Sequence, residues 1–187
     1  YIFDNIHFTL YGFLLRRCAA QVLFTRCTQT GSNIHLIDCA NVVFEDCILY
    51  KFPLWVLPIR WVNSTVTVVR CELRGGADGE GGATLRLEGS HVELVDTIVT
   101  GGNVQSSFFH QPRADYGISL TDSSLWLRGT TEVHGGRDLG PYGGGPGNAI
   151  TGQPTVIVPD PSVQIFGYVA RGVTILTTEL THVSPGP

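Results

Sequence analysis

The chain has no methionine, a single lysine (Lys51) and only 15% charged residues among its 187. Without a methionine the first residue is not a native start, and the chain is expected to be a processed form or an excised piece. Its 43% hydrophobic content makes it too apolar for intrinsic disorder. A net charge of −4 supplies no basic face, which argues against nucleic acid and anionic membrane as partners. No apolar run reaches the roughly 18 residues of a membrane span, so no insertion into a membrane is expected. No signal peptide is left to read. No stretch of about 11 residues or more holds a 3.6-residue apolar period, so no long helix is expected. There is no CxxC and the histidines are scattered, so no metal site is expected.

What the chain does have is a repeat. "NIHLIDCANVVFEDC", residues 33–47, reads strand, small residue, strand, small residue, and "FLLRRCAAQVLFTRC" does so just upstream. An apolar-x-apolar marker recurs at Val22–Phe24, Val42–Phe44, Val66–Val68, Val92–Leu94, Leu125–Leu127 and Val156–Val158, in steps of 20 to 33 residues. Five positions after the markers come Cys27, Cys47, Cys71, Thr97 and Thr130. A second strand recurs at Phe13–Leu15, Ile34–Leu36, Leu85–Leu87 and Ile118–Leu120. Each unit therefore holds at least two short strands with period-2 alternation.

A unit of this size cannot bury its apolar side alone. Stacked coil upon coil, equivalent residues sit about 4.8 Å apart and the inward side chains form one continuous core. The segments "GFLLRRCAAQVLFTRC", "SNIHLIDCANVVFEDC" and "GISLTDSSLWLRGT" resemble the right-handed parallel β-helix (pectin-lyase-like) superfamily. The resemblance implies an all-β solenoid of about six or seven coils over residues 4–175, forming one domain, with 176–187 a tail or the start of a linker. The Gly-rich inserts beside "ATLRLEGSHVELVDTIVTGG" look like those of predicted secreted bacterial β-helix proteins. That looser likeness implies a secreted or cell-surface location.

The register predicts a charged corner in which Arg26, Asp46, Arg70 and Asp96 alternate in sign from coil to coil, a solvated ion-pair ladder. Beside it, Cys27, Cys47 and Cys71 are expected to stack as small inward residues, and Cys18 and Cys39 in a second ladder. Five cysteines is an odd number, so at least one lacks a partner within the chain. Buried free thiols are expected, with a Cys18–Cys39 bridge as the alternative.

Function in such a fold is expected in the excursions from the coil. These are residues 48–63, 74–83, 101–117 and 134–148. Tyr50, Trp55 and Trp61 in the first, and Phe108 and Tyr116 in the third, are candidates for an aromatic shelf that stacks on sugar rings, or for a local hydrophobic cap. His110, Arg113 and Asp115, with Arg137 and Asp138, are candidate catalytic groups; ordinary solvated loop charges are the competing reading. The superfamily's polygalacturonase and pectate lyase motifs are absent. A lyase would need a base and an Asp-bound Ca²⁺, and no clear pairing of the two is visible. The expected function is a non-catalytic extracellular structural or adhesive module that binds polysaccharide or assembles with partners. The alternatives are a polysaccharide lyase and a trimeric fibre. The outward marker positions (Leu23, Val43, Thr67, Glu93, Trp126, Ile157) are apolar at both ends, so a second copy or a neighbouring domain is expected over Leu23, Val43 and Trp126.

Overall fold

The computed structural model describes residues 1–9, 11–30, 32–50, 59–76, 82–103, 114, 116–137, 139, 147–152, 155–167, 169, 173–175 and 183–184. These residues contain strands and no helix. The strands fall into three sheets in which every pairing is parallel, and each sheet is ordered as the chain runs. The first sheet holds Ile2–Asp4, Val22–Thr25, Val42–Glu45, Thr65–Val69, His91–Val95, Ser123–Arg128, Thr155–Pro159 and Val173–Ile175. The second holds His7–Phe8, Thr28–Gln29, Ile48–Tyr50, Glu72–Arg74, Ile98–Thr100, Glu132–His134, Gln164–Phe166 and Val183–Ser184. The third holds Tyr11–Arg16, Ser32–Ile37, Ile59–Val62, Ala83–Glu88, Tyr116–Thr121 and Ile150–Gly152. The chain visits the sheets in the same order each time, so the fold is a parallel β-helix with six three-strand coils and further strands beyond. The strand Val183–Ser184 lies within the segment read from sequence as a tail, and it pairs with Ile165 and Phe166.

Alternation along each strand sends one set of side chains inward. Val22, Val42, Val66, Val92 and Leu125 form one inward column, and Phe24, Phe44, Val68, Leu94 and Leu127 another. At the first end the core is aromatic. Phe3, Phe24 and Phe44 stack with ring centroids 4.9 Å apart, the interval of the strands themselves, and Trp61 continues the pile on Phe44 at 5.9 Å.

The corners are made by single residues in the left-handed region. Between the first and second sheets these are Asn5, Arg26, Asp46, Arg70, Asp96 and Gly129. Between the third and first they are Arg17, Asp38, Asn63, Gly89 and Asp122. A non-glycine residue pays about 1–2 kcal/mol to sit there, least for Asn and Asp. Most of these residues send the backbone N–H to the next coil, as Asp46 does to the Val69 carbonyl at 3.0 Å and Asp38 to the Val62 carbonyl at 3.0 Å.

After most of these corners comes a small inward residue, and these make two buried ladders. Cys27, Cys47, Cys71, Thr97 and Thr131 form one; Cys39, Ser64, Ser90 and Ser123 form the other. Each backbone N–H donates to the side chain one coil on: Cys47 N to Cys71 Sγ at 3.2 Å, Cys71 N to Thr97 Oγ1 at 3.3 Å, Ser64 N to Ser90 Oγ at 3.1 Å. Each side chain donates back to a carbonyl of its own coil, as Cys71 Sγ does to Val69 O and Ser90 Oγ to Glu88 O. A thiol and a hydroxyl thus do the same job. All five cysteines are free. Burial pushes the thiols of Cys18 and Cys27 up. The hydrogen bond to Cys47, together with burial, pushes Cys71 far up.

Two positions differ from the sequence reading by one residue. The ladder continues at Thr131, because Gly129 and Thr130 together occupy the corner that Asp96 fills alone, and Thr97 N donates to Thr131 Oγ1. In the next coil Leu125 pairs with Ile157 and Trp126 with Val158. Ile157 is therefore in register with Leu125, and Val158 is the partner of Trp126. A slip of one residue exchanges the two sides of a strand, and the evenly apolar "TVIVP" offers no alternation to fix it.

Candidate functional site

The excursions share one corner. In the first two coils the second sheet passes to the third through two residues, 9–10 and 30–31. In the next four coils the same junction opens into 51–58, 75–82, 101–115 and 135–149. Parallel stacking therefore brings the roots of every long insert of the first six coils to one edge, the junction of the second and third sheets.

Glycine doublets seat these inserts. Gly75–Gly76, Gly101–Gly102 and Gly135–Gly136 follow the second-sheet strands in three successive coils. A Cβ on Gly75 would lie 2.2 Å from the backbone nitrogen of Gly102, and one on Gly135 would lie 2.0 Å from the carbonyl oxygen of Gly147. Only glycine lets neighbouring backbones approach so closely. The approach is fixed by hydrogen bonds from Gly75 N to Thr100 O, Gly101 N to His134 O and Gly135 N to Phe166 O. Asn103 Oδ1 accepts the Arg137 N–H at 2.8 Å, joining the bases of the third and fourth inserts.

The outer side of the second sheet is two side chains wide. One column runs Ile48, Glu72, Ile98, Glu132, Gln164 and the other Tyr50, Arg74, Thr100, His134, Phe166. Arg74 is paired with Glu72. His134 Nε2 lies 2.9 Å from Glu132, and its ring stacks on Phe166 with centroids 4.3 Å apart.

The sequence candidates divide around this edge. Tyr50 is half-buried at the root of the first insert, Tyr116 is half-buried where the third insert rejoins the coil, and Arg137 is exposed in the fourth. Trp61 is a correction. It was placed on the aromatic shelf, yet it is 0% exposed and points into the core beside Phe44. Its strand Ile59–Val62 alternates inward and outward, and Trp61 pairs with Leu36 and Leu87, both core residues. Trp55, Phe108, His110, Arg113, Asp115 and Asp138 lie outside the described residues.

The ladder charges lie at the opposite corner. Arg26 bonds Asp4, and Arg70 spans Asp46 at 2.8 Å and Glu45 at 2.5 Å. Arg70 holds the Asp46 carboxyl below the usual carboxylate range. Asp96 accepts the Thr130 N–H at 2.9 Å, which lowers its carboxyl too. On the third sheet, Arg60 and Arg86 converge on Glu88, and the Arg60 hydrogen bonds lower it. His35, stacked beside Arg60, is pushed down by burial and then by that charge. The acids of the central coils are thus distributed over separate faces.

One cluster was not foreseen from sequence. On the first sheet Arg128 bonds Glu93 at 2.8 Å and Asp160 at 3.1 Å, and its guanidinium lies 4.7 Å from the Trp126 ring centroid. His91 Nδ1 and Ser124 Oγ are 2.5 Å apart beside it. Glu93 and Trp126 were visible as neighbours in the outward column; Arg128 and Asp160 needed the register of the next coil. Arg128 and His91 pack around Trp126, which is half-buried, as are Leu23 and Val43. The hydrogen bond that Arg128 donates to Glu93 raises its pKa, so it keeps its proton.

Among the described residues no group of three or more His, Cys, Asp or Glu side chains is placed to hold a metal ion. Among the described residues no helix is long and apolar enough to cross a membrane. The sequence matches no protein-family model, and no curated protein matches it.

Proposed function

We propose that the chain is an extracellular, non-catalytic recognition module: a right-handed parallel β-helix of pectin-lyase-like architecture that presents the second-to-third-sheet edge to a polysaccharide. The observation that carries this reading is the gathering of four excursions on one edge of an otherwise uniform stack. The same junction takes only two residues in the first two coils and 8 to 15 in the next four, so the stack itself does not require inserts of that length. Tyr50 and Tyr116 stand at their roots, and the aromatic content of the inserts suits stacking on sugar rings. Secretion agrees with the Gly-rich texture of these loops.

The electrostatics favour binding over cleavage. A lyase needs a base that gives up its proton. Among the described residues Arg60, Arg70, Arg74 and Arg128 are shifted the other way, by the hydrogen bonds they donate to Glu88, Asp46, Glu72 and Glu93. The test is incubation with acidic and neutral polysaccharides, with and without Ca²⁺, reading both retention on the glycan and new reducing or unsaturated ends. Retention without new ends is expected. Turnover of any polymer would overturn the non-catalytic reading.

A further inference from the structure

Eight large apolar side chains are exposed among the described residues. Tyr1, Ile2, Ile6 and Leu14 belong to the first coil, and Leu139 to the fourth insert. The remaining three, Ile48, Ile98 and Phe166, at 42%, 40% and 42%, all stand on the outer side of the second sheet. By contrast Leu23, Val43 and Trp126, on the outside of the first sheet, are half-buried. We propose that the second sheet's outer side is a homodimer interface, with two copies lying side by side, their coils running in the same direction about a two-fold axis parallel to the stack.

The occupant follows from how the charges are arranged. One column alternates apolar and acidic residues: Ile48, Glu72, Ile98, Glu132. The other carries the bases at the same levels, Arg74 beside Glu72 and His134 beside Glu132. A two-fold axis along the stack, in the plane of contact, exchanges the columns and keeps each level. Glu72 then meets the partner's Arg74, Glu132 meets the partner's His134, and Ile48 meets the partner's Tyr50. The Glu72–Arg74 ion pair becomes part of a four-charge group, and the hydrogen-bonded Glu132 and His134 face their counterparts one isoleucine level further along. An axis across the stack would instead lay the acidic column on its own copy, setting Glu72 against the partner's Glu132 or against isoleucine. Like charges or an uncompensated carboxylate make that arrangement costly. A self-complementary patch that closes under one two-fold axis is what an isologous dimer requires.

The experiment is sedimentation velocity on the chain from about 1 μM to about 0.5 mM, a range wide enough for a narrow interface. Far-UV circular dichroism and melting temperature confirm that each variant folds; every substituted side chain points outward. A concentration-dependent dimer is expected. Ile98→Asp, and Glu72→Arg alone, should each weaken it by about tenfold or more, and Glu72→Arg combined with Arg74→Glu should restore it to within about threefold. The swap restores contact only if the columns face one another. A chain that stays monomeric, a trimer, a dimer indifferent to Ile98→Asp and Glu72→Arg, or a swap that fails to restore would each overturn the proposal. Glycan retention is read in a separate experiment, on the full chain and on Ile98→Asp alike, so that failure of the dimer and failure of glycan recognition are told apart.

Discussion

At the residue scale, the inner ladders explain why cysteine, serine and threonine alternate at two corners. Each must accept one N–H from the preceding coil and donate to one carbonyl. Cys71→Ser keeps both bonds and should change stability by less than about 1 kcal/mol. Ser90→Ala leaves the buried Ser64 N–H without its acceptor and should cost about 1–3 kcal/mol in urea or thermal unfolding. Cys27, Cys47, Cys71 and Thr97 were legible in the sequence because they recur five positions after the markers, whereas Ser64, Ser90 and Ser123 follow a corner with no such marker. Trp61 was misread because an aromatic-rich stretch gives no sign of where an insert ends and a strand begins. Its indole N–H has no partner among the described residues. Trp61→Phe should therefore cost under about 1.5 kcal/mol, while Trp61→Ala should cost about 3–5 kcal/mol.

His35 gives a pH signature. Its folded pKa is lowered, so the unfolded chain binds the proton more readily, and stability rises with pH through this window. The contribution is complete above the unfolded value of about 6.5 and is lost as pH falls below it. The melting temperature should drop between about pH 7 and pH 5, and His35→Gln should flatten that drop. The carboxylates Asp46, Asp96 and Glu88 have lowered values, so their contribution is present above about pH 4 and lost only in stronger acid.

At the scale of elements, the strands were readable wherever apolar and polar residues alternate, and the charged corner where single residues of alternating sign follow them. The third-to-first corner passed unnoticed because Arg17, Asp38, Asn63, Gly89 and Asp122 share a backbone conformation rather than a side-chain type. Register failed where alternation stops, at Thr155–Pro159. The glycine doublets allow close backbone approach: Gly75 lets its coil pass against Gly102 of the next, and Gly135 meets Gly147 at the far end of its own insert. Gly75→Ala would push a methyl onto the Gly102 backbone, which has no flexible end to yield. A loss of about 1–3 kcal/mol is expected, measured by thermal unfolding.

At the scale of the whole molecule, the sequence showed that excursions exist but not that they share an edge. Their spacing along the chain is irregular, and only three sheets visited in constant order bring them to one junction. The fold therefore separates two tasks. The ladders, the aromatic pile and the aliphatic columns hold the stack, and the junction between the second and third sheets is free to vary in length. Loops add little to stability when their ends are already fixed, so the edge can carry recognition without endangering the core.

The most direct test shortens the edge and leaves the stack. In a variant whose 104–113 segment is replaced by a two-residue turn like those of the first two coils, melting temperature and retention on the glycan bound by the full chain are measured together. The account predicts a melting temperature within a few degrees of the full chain, with retention reduced about tenfold or more. Unchanged retention, or collapse of the fold, would contradict the division between a stack that holds and an edge that recognises.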